Sequence, residues 1–244
     1  MSPLTFQTLA PTAKHTATII FSHGLGDQGA SWLPMARMLA PALPYVKWVF
    51  PNAPEIPITL NNGHRMPGWF DLSSLEKLGD PREEDEKGLV DSADAIQAII
   101  SREGLAVGDN RIVVGGFSQG CVVSILAGLT KGTQGKEKEV QRALAGVVGL
   151  SGWLPLRDTL KERFHAEAKN LPIFWGHGTA DQVVGYKYGQ QSVEILISQY
   201  GLEKSSGQAG KGIQFESYPG LGHGSSPQEL KDLSAWLQRV IPTI

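Results

Sequence analysis

The chain has 244 residues, of which 41% are hydrophobic and 19% are charged, and its formal net charge is −2 at pH 7. This content can bury a substantial core, and α/β folds of this length commonly form one domain, so we predict a single domain over residues 1–244. The charge balance leaves no basic surplus to neutralise a phosphate backbone, which argues against nucleic acid as a partner.

Strand-like and helix-like segments alternate along most of the chain. Runs of β-branched and aromatic residues predict strands, and amphipathic stretches predict helices. In chain order we predict a strand over Thr18–Phe21, a helix over Ser31–Ala40, a strand over Val46–Phe50, a helix from Glu83 to a cap at Gly104, a strand over Arg111–Val114, a helix over Gln119–Leu129, strands over Ala145–Leu150 and Leu171–Trp175, a helix over Gly185–Tyr200, a strand over Ile213–Tyr218 and a helix over Pro227–Ile241. The alternation predicts an α/β fold with a mostly parallel central sheet flanked by helices on both faces.

Three stretches carry little periodic pattern. Residues 51–81 are rich in proline, glycine and asparagine, which predicts a mostly irregular segment, and loops of this length often carry function. Residues 131–142 and 203–212 are polar and charged, and we predict that they are solvated surface loops. Their sequence assigns them no role.

A G-x-S-x-G pattern formed by Gly116, Ser118 and Gly120 directly follows the predicted strand Arg111–Val114. In a chain this rich in glycine, the pattern alone arises by chance in roughly one sequence in four. Its position between a strand and an apolar helix is what a nucleophile elbow requires, because the sharp turn strains the serine backbone and tolerates only very small neighbours. We therefore predict Ser118 as a nucleophile, against the alternative of a surface serine in an ordinary turn.

A serine hydroxyl is a weak nucleophile, so the prediction also requires a histidine base and an orienting carboxylate, in the order Ser, acid, His. His223 lies in a glycine-rich turn between the last predicted strand and helix and is preferred over His177. His165 lies in a polar stretch that resembles a surface helix or loop. Asp181 follows the end of a predicted strand, which should bring its carboxylate to the same sheet edge as Ser118.

An acyl-transfer site also needs backbone N–H groups that stabilise an oxyanion. The residue after the nucleophile, Gln119, supplies one, and Leu25 in the glycine-rich loop after the first predicted strand is the candidate for the other. Residues 24–29 also match the G-x-G-x-x-G pattern of dinucleotide-binding proteins. That alternative requires an acidic ribose ligand about twenty residues further on, and the first acidic residue there is Glu55, beyond a proline.

The remaining reactive side chains favour neither a metal nor a cofactor. Histidines are isolated, and neither a His-x-x-x-His nor a Cys-x-x-Cys spacing occurs, so we predict no metal site and no cofactor. Cys121 is the only cysteine, and its position on the helix after Ser118 favours core packing over reactivity.

Residues 1–5 show neither the basic segment nor the apolar stretch of a secretory signal, and the apolar runs are too short to span a membrane. The single cysteine excludes an internal disulfide. These features predict a soluble cytoplasmic protein, with a nuclear pool also compatible, that makes only peripheral membrane contact. The sequence leaves the oligomeric state open.

The chain resembles the acyl-protein thioesterases, also described as cytosolic lysophospholipases or small carboxylesterases of the α/β-hydrolase fold. The resemblance spans nearly the whole chain and rests on short motifs in order: HGLGD at 23–27, FPNAP at 50–54, WFD at 69–71, GFSQG at 116–120, SGWLPL at 151–156, GHG at 176–178 with Asp181, and GH at 222–223. It implies hydrolysis of long-chain acyl thioesters on S-acylated protein cysteines, or of lysophospholipid esters, through an acyl-serine intermediate.

The same resemblance implies an apolar acyl groove bordered by the loop from Trp69 to Leu78. Besides Leu25, the candidate lining residues are Leu72, Leu75, Leu78, Trp153 and Val183. The polar stretches near 131–138 and 205–211 are longer than the family pattern suggests. The chain also begins Met1-Ser2-Pro3, whereas some relatives have a cysteine near the N-terminus that can be acylated. Two alternatives stay open: a short-chain carboxylesterase with the same catalytic residues, and a silent hydrolase-like binding protein.

Overall fold

The computed structural model describes residues 3–133, 143–205 and 211–244. Its main element is a seven-stranded sheet with the strands β1 (Phe6–Leu9), β2 (Ala17–Ser22), β3 (Val46–Pro51), β6 (Ile112–Phe117), β7 (Gly146–Leu150), β8 (Pro172–Gly178) and β9 (Gly212–Tyr218). Their order in the sheet is β1-β3-β2-β6-β7-β8-β9. Two further strands, β4 (Glu55–Ile58) and β5 (His64–Pro67), form a separate hairpin. Apart from the antiparallel β1–β3 pair, neighbouring strands of the main sheet are parallel, as predicted.

Helices cover the main sheet on both faces. They are α1 (Leu33–Leu39), α2 (Glu86–Val107), α3 (Gln119–Leu129), α4 (Leu160–Arg163), α5 (Tyr186–Ser198) and α6 (Pro227–Val240). One face of the sheet packs against α2, α3 and α5, and the other packs against α1 and α6, so the apolar core forms two layers. Most of the sheet residues are fully buried because both faces are covered, which explains why the strands read as continuous apolar runs. Among the described residues, no helix is long and apolar enough to cross a membrane.

The segment 51–81 is less irregular than predicted, because it contains the β4–β5 hairpin, in which Glu55 pairs with Pro67 and Ile58 with His64. The prolines in both strands obscure the pattern, and a two-stranded ribbon tolerates them because each of its strands is an edge. Strand β1 was also missed. It is only four residues long and at most half-buried, and it lies at the edge of the sheet beside β3.

The predicted cap of α2 is wrong by one turn. The helix begins after Asp85, whose side chain accepts a hydrogen bond from the Gly88 N–H, and it runs to Val107. Gly108, with φ of 84°, ends it in a conformation that favours glycine. Gly104 lies inside the helix instead, where a Cβ would come within 2.2 Å of Asp109 Oδ1. The glycine at 104 therefore marks close packing and not the helix end.

The sheet topology sets the position of the candidate residues. Strands β2, β6, β8 and β9 run in the same direction, so the loops that follow them gather at one edge of the sheet. Those loops contain Leu25, Ser118, Asp181 and His223. Parts of the two predicted polar loops, residues 134–142 and 206–210, lie outside the described residues.

Candidate active site

Ser118 occupies the turn between β6 and α3 with φ of 55° and ψ of −122°, an unfavourable backbone conformation for a residue with a side chain. Its N–H donates to Leu150 O at 2.9 Å, and its carbonyl accepts from Val122 N at 3.2 Å at the start of α3. Only 9% of the residue is exposed. The neighbouring strand and helix thus hold a strained serine at the amino end of a buried helix.

The two glycines of the motif are required by close packing. A Cβ on Gly116 would come within 2.3 Å of the backbone of Gly120, and one on Gly120 would lie 2.1 Å from Ser22 O. Both clashes are with backbone atoms, which cannot move aside without displacing β2 or α3. The glycines on either side of Ser118 are therefore required sterically, whereas an ordinary surface turn would not require both.

Asp181 lies in the loop after β8 with its carboxylate buried. Its Oδ1 accepts hydrogen bonds from Val183 N and Val184 N, each at 2.9 Å, so the loop folds around one carboxylate oxygen. Burial by itself raises the pKa of Asp181, but the hydrogen bond from His223 and these two N–H groups outweigh it and lower the pKa below its ordinary value. The carboxylate is therefore ionised at neutral pH.

His223 lies in the loop after β9, and its Nδ1 donates to Asp181 Oδ2 at 2.8 Å. This bond places the proton on Nδ1 and leaves Nε2 as the basic nitrogen. The imidazole ring packs against Phe117, the residue before Ser118, with 4.6 Å between ring centroids. The side chain of His223 is 17% exposed. The structure thus brings the three predicted catalytic residues to one place, with the histidine positioned by the acid on one side and by Phe117 on the other.

His177, the second histidine considered from the sequence, is fully buried beneath the same loop. Its Nε2 donates to Val184 O at 2.8 Å and lies 3.6 Å from Asp181 Oδ2. Burial lowers the pKa of His177, which keeps the ring neutral. His177 therefore supports the loop that carries Asp181 and is not accessible to a substrate.

The two predicted oxyanion donors flank Ser118. Gln119 is the first residue of α3, so its N–H is one of the amides that a helix leaves without an internal partner. Leu25 follows Gly24, and a Cβ on Gly24 would be 3.4 Å from Ser118 Cβ, so this loop runs past the serine. Within the described ranges, neither the Leu25 nor the Gln119 N–H donates a hydrogen bond to another residue. Both amides are thus free to receive a substrate oxygen.

The Leu25 loop is held by the buried imidazole of His23. His23 Nδ1 donates to Gly24 O at 2.7 Å, and Nε2 accepts from Ala53 N at 3.0 Å. These two bonds require the neutral ring, and burial lowers the pKa of His23 in agreement. Gly26, with φ of 75°, donates to Pro67 O at 2.7 Å and links the loop to the hairpin.

The predicted groove residues lie in two places. Leu72, Leu78 and Trp153 line one narrow crevice together with Phe70. All of them are at most 8% exposed, so the crevice is covered in this structure. Leu75 packs against the core at the edge of this region. By contrast, Val183 is 41% exposed, donates from its N–H to Asp181 Oδ1 and is not among the residues that line that crevice.

The predicted surface position of His165 is wrong. Its side chain is 2% exposed, and its Nε2 donates to Gly128 O at 3.0 Å. Cys121 is fully buried, and burial raises the pKa of its thiol, which agrees with the predicted packing role. Within the part of the chain that the structure describes, no group of three or more His, Cys, Asp or Glu side chains is arranged to hold a metal.

The hydrogen bonds made by the side chains of Gln119 and Trp69 were not predicted from the sequence. Gln119 was predicted only as a backbone donor, yet its amide group bonds to the segment Trp69–Phe70, and Trp69 bonds to His23 O. The WFD motif was a signal that this segment matters, but no spacing rule connects residues fifty positions apart. Only the folded chain shows that they meet.

A strained serine in a strand–turn–helix, followed in the chain by a carboxylate and a histidine that bond to one another, defines the α/β-hydrolase class. Over residues 5–241 the chain matches the model of the phospholipase/carboxylesterase family, and it belongs to that family.

Named relatives and solved structures agree with this assignment. Acyl-protein thioesterase 1 of Cryptococcus neoformans var. neoformans serotype D is 45% identical over 237 residues, which cover 96% of both chains. Acyl-protein thioesterase 1 of Mycosarcoma maydis is 42% identical, with 94% of this chain and 93% of the relative covered. The crystal structure of Zea mays acyl-protein thioesterase 2 superposes with a TM-score of 0.81 at 33% identity and covers 97% of this chain and 99% of its own.

Proposed function

We propose that this protein hydrolyses long-chain acyl thioesters on S-acylated protein cysteines, with Ser118 as nucleophile, His223 as general base and Asp181 as the residue that orients the base. The observation that carries the proposal is the 2.8 Å bond from His223 Nδ1 to Asp181 Oδ2 next to the strained turn at Ser118. The relatives named acyl-protein thioesterase, which match nearly the whole chain, support the substrate class. Lysophospholipids are a second candidate substrate that the same chemistry would cleave.

The reaction proceeds in two acyl transfers. His223 Nε2 takes the proton of Ser118 as Oγ attacks the thioester carbon, and the Leu25 and Gln119 N–H groups stabilise the resulting oxyanion. The carbon–sulfur bond then breaks, and the histidine returns the proton to the departing thiolate. A water molecule activated by the same histidine attacks the acyl-serine, releases the fatty acid and restores Ser118. Throughout, Asp181 stabilises the imidazolium and stays ionised, because its pKa is low.

The acyl chain requires an apolar path that this structure keeps covered. We propose that it enters between Leu25 and the crevice lined by Leu72, Leu78 and Trp153, beneath the loop that contains Leu75. Val183 lies at the exposed margin beside Asp181, where it would contact the part of the substrate nearest to the thioester. Each methylene buried along such a path contributes ~0.8 kcal/mol.

We further propose that the protein works as a single domain without a metal or cofactor, in the cytoplasm, where it would meet acylated proteins by peripheral contact with the membrane. The proposed chemistry uses only amino-acid side chains and backbone amides.

A panel of acyl thioesters and matching oxygen esters, from two to sixteen carbons, tests the substrate class. We expect kcat/KM to rise with acyl length to at least eight carbons on the thioesters, because longer chains bury more apolar surface. Ser118→Ala should remove the activity on both series and serves as the background. A preference for acetyl esters would replace the proposal with a short-chain carboxylesterase, and no turnover of either series would favour a binding protein.

A further inference from the structure

The two oxyanion donors belong to different parts of the fold, yet one short buried segment bonds both to Gln119 and to His23, two residues before Leu25. Leu25 lies in the loop after β2, and Gln119 begins α3. Between them lies the segment Trp69–Phe70, which follows the hairpin and is at most 3% exposed. An oxyanion hole requires its two N–H groups at a fixed separation, because both must point at one developing charge. The segment that bonds to Gln119 and to the start of the Leu25 loop is therefore placed to set that separation.

On the Leu25 side, the contact is made by an indole. Trp69 Nε1 donates to His23 O at 2.7 Å, and the indole and imidazole rings lie 5.2 Å apart. The carbonyl of His23 begins the turn that leads to Leu25, and the His23 ring fixes the next carbonyl, Gly24 O. Trp69 thus restrains the peptide between His23 and Gly24, and the His23 ring restrains the next peptide, whose N–H is that of Leu25.

On the Gln119 side, the contact is made by the amide side chain of Gln119 itself. Its Oε1 accepts from Trp69 N, and its Nε2 donates to Phe70 O, both at 3.0 Å. The peptide between Trp69 and Phe70 is also held by Ser92, whose hydroxyl donates to Trp69 O. Every polar atom of the Gln119 side chain is therefore used in binding the segment, and Gln119 is 1% exposed.

We infer that Trp69 and the Gln119 side chain form a bridge that positions the two oxyanion donors relative to one another, so Trp69 is a positioning residue for catalysis. The inference rests on the proposed acyl-transfer function. A group that sets the hole acts on the transition state more than on substrate binding, so its loss should lower kcat and leave KM nearly unchanged. A residue that only packs the core would lower stability without this split.

The test is Trp69→Phe, which keeps an aromatic ring against His23 but removes the indole N–H. We expect kcat on an octanoyl thioester to fall about 10- to 100-fold, somewhat less than the loss of a whole donor, with KM changed less than about twofold. The inhibition constant of an alkyl boronic acid, whose tetrahedral adduct mimics the oxyanion, should rise by the same factor as kcat falls. Site-specific replacement of Trp69 by 3-benzothienylalanine, which has sulfur in place of the N–H, gives a nearly isosteric second variant should Trp69→Phe fold poorly.

The matched control is Trp48→Phe. Trp48 is 1% exposed on β3, and its Nε1 has no hydrogen-bond partner within the described residues, so this change loses the same ring volume and no bond. Similar kcat values and boronate affinities in the Trp69 and Trp48 variants would overturn the inference. Fluorophosphonate labelling of Ser118, measured at its end point, distinguishes a failure of the proposed function from a failure of the bridge. An unlabelled wild type would refute the proposed function, whereas normal labelling with unchanged kcat in Trp69→Phe would refute only the bridge.

Discussion

Two neighbouring regions of this protein differ sharply in how they are held. The catalytic rim, which we define as Leu25, Trp69, Ser118, Asp181 and His223, is buried or half-buried. Hydrogen bonds hold Trp69 to His23 O at 2.7 Å and His223 to Asp181 at 2.8 Å. The flap, defined as residues 73–83, begins only four residues after Trp69, yet much of it is exposed, and the side chains of Lys77 and Arg82 are 57% and 86% accessible.

Besides the packing of Leu75 and Leu78 against the core, the flap is attached to the rest of the molecule through its carbonyl groups. Arg157 donates from Nε to Gly79 O at 2.5 Å and from Nη2 to Leu78 O at 3.1 Å, and the Tyr188 hydroxyl donates to Glu76 O at 2.5 Å. Two of these three contacts come from one side chain, so the flap can be released by little change. Under the proposed function, the chemistry would depend on the fixed rim, whereas a long acyl chain would have to pass the more loosely attached flap.

The largest expected effect is the loss of kcat when Asp181 in the catalytic rim is replaced. Asp181→Asn keeps the shape of the side chain but removes the charge that stabilises the His223 imidazolium and selects its tautomer, so we expect kcat to fall about 10⁴-fold. Thioester turnover under saturating substrate measures it. The control is Asp94→Asn on α2, where the carboxylate bonds to Thr133, and it should keep activity within about twofold. Retention of a tenth of the wild-type kcat by Asp181→Asn would remove the aspartate from the mechanism.

The fixed rim and the flap also differ in how far the sequence predicted them. Ser118, Asp181 and His223 could be placed from the sequence, because each lies in a short local pattern at the end of a predicted strand and parallel strands bring those ends together. The alternation of strands and helices predicted the sheet for the same reason. Local patterns could not show that Gln119 bonds to Trp69, because that contact depends on how the hairpin packs against α3.

The flap illustrates the other limit of the sequence. The resemblance placed Leu72, Leu78 and Trp153 in one groove, and in the structure they line one crevice. Nothing in their spacing showed that Arg157 bonds to the carbonyl groups of the neighbouring flap. Val183 was assigned to the same groove, although the structure places it apart, because position in a motif does not specify which way a loop turns. Similarly, His165 looked exposed in a polar stretch, but it is buried and bonds to Gly128 O.

The next effect concerns the flap. Arg157→Met removes both hydrogen bonds to the flap carbonyls and keeps much of the apolar stem. Because the flap must move to uncover the crevice, we expect kcat/KM on an octanoyl thioester to rise at least about fivefold, since each lost hydrogen bond lowers the cost of opening by roughly 1 kcal/mol, while turnover of an acetyl thioester changes less than twofold. Arg239→Met, which removes a bond to Gln214 far from the flap, is the matched control. Equal changes on both chain lengths would show that Arg157 affects the rim instead of the flap.

The smallest effect is a pH dependence at the base of the flap. Glu84 accepts a hydrogen bond from Leu156 N, and burial raises its pKa to about 7, although the Leu156 N–H and Arg157 oppose the shift. Because the folded state holds this proton more tightly than the unfolded chain, the contribution to stability falls as pH rises from about 4.5 to 7. Glu84→Gln removes the titration and keeps the acceptor. We expect the wild type to lose about 1 kcal/mol more unfolding free energy than the variant between pH 5 and pH 8, after allowance for solvent screening.

Urea denaturation at the two pH values measures this difference. Glu76→Gln, an exposed flap carboxyl, is the control and should follow the wild type at both pH values. If the unfolding free energies of the wild type and Glu84→Gln changed equally with pH, burial would not raise the pKa of Glu84. The predicted pH dependence next to the flap would then be wrong.

The most direct test of the central claim is to locate the covalent adduct that a long-chain fluorophosphonate leaves on the protein. Peptide mass mapping of the labelled wild type should find one adduct, on Ser118. Ser118→Ala should give none, and His223→Ala should react far more slowly because the serine has lost its base. An adduct on another residue, or equal labelling of the wild type and Ser118→Ala, would contradict the assignment of Ser118 as the nucleophile.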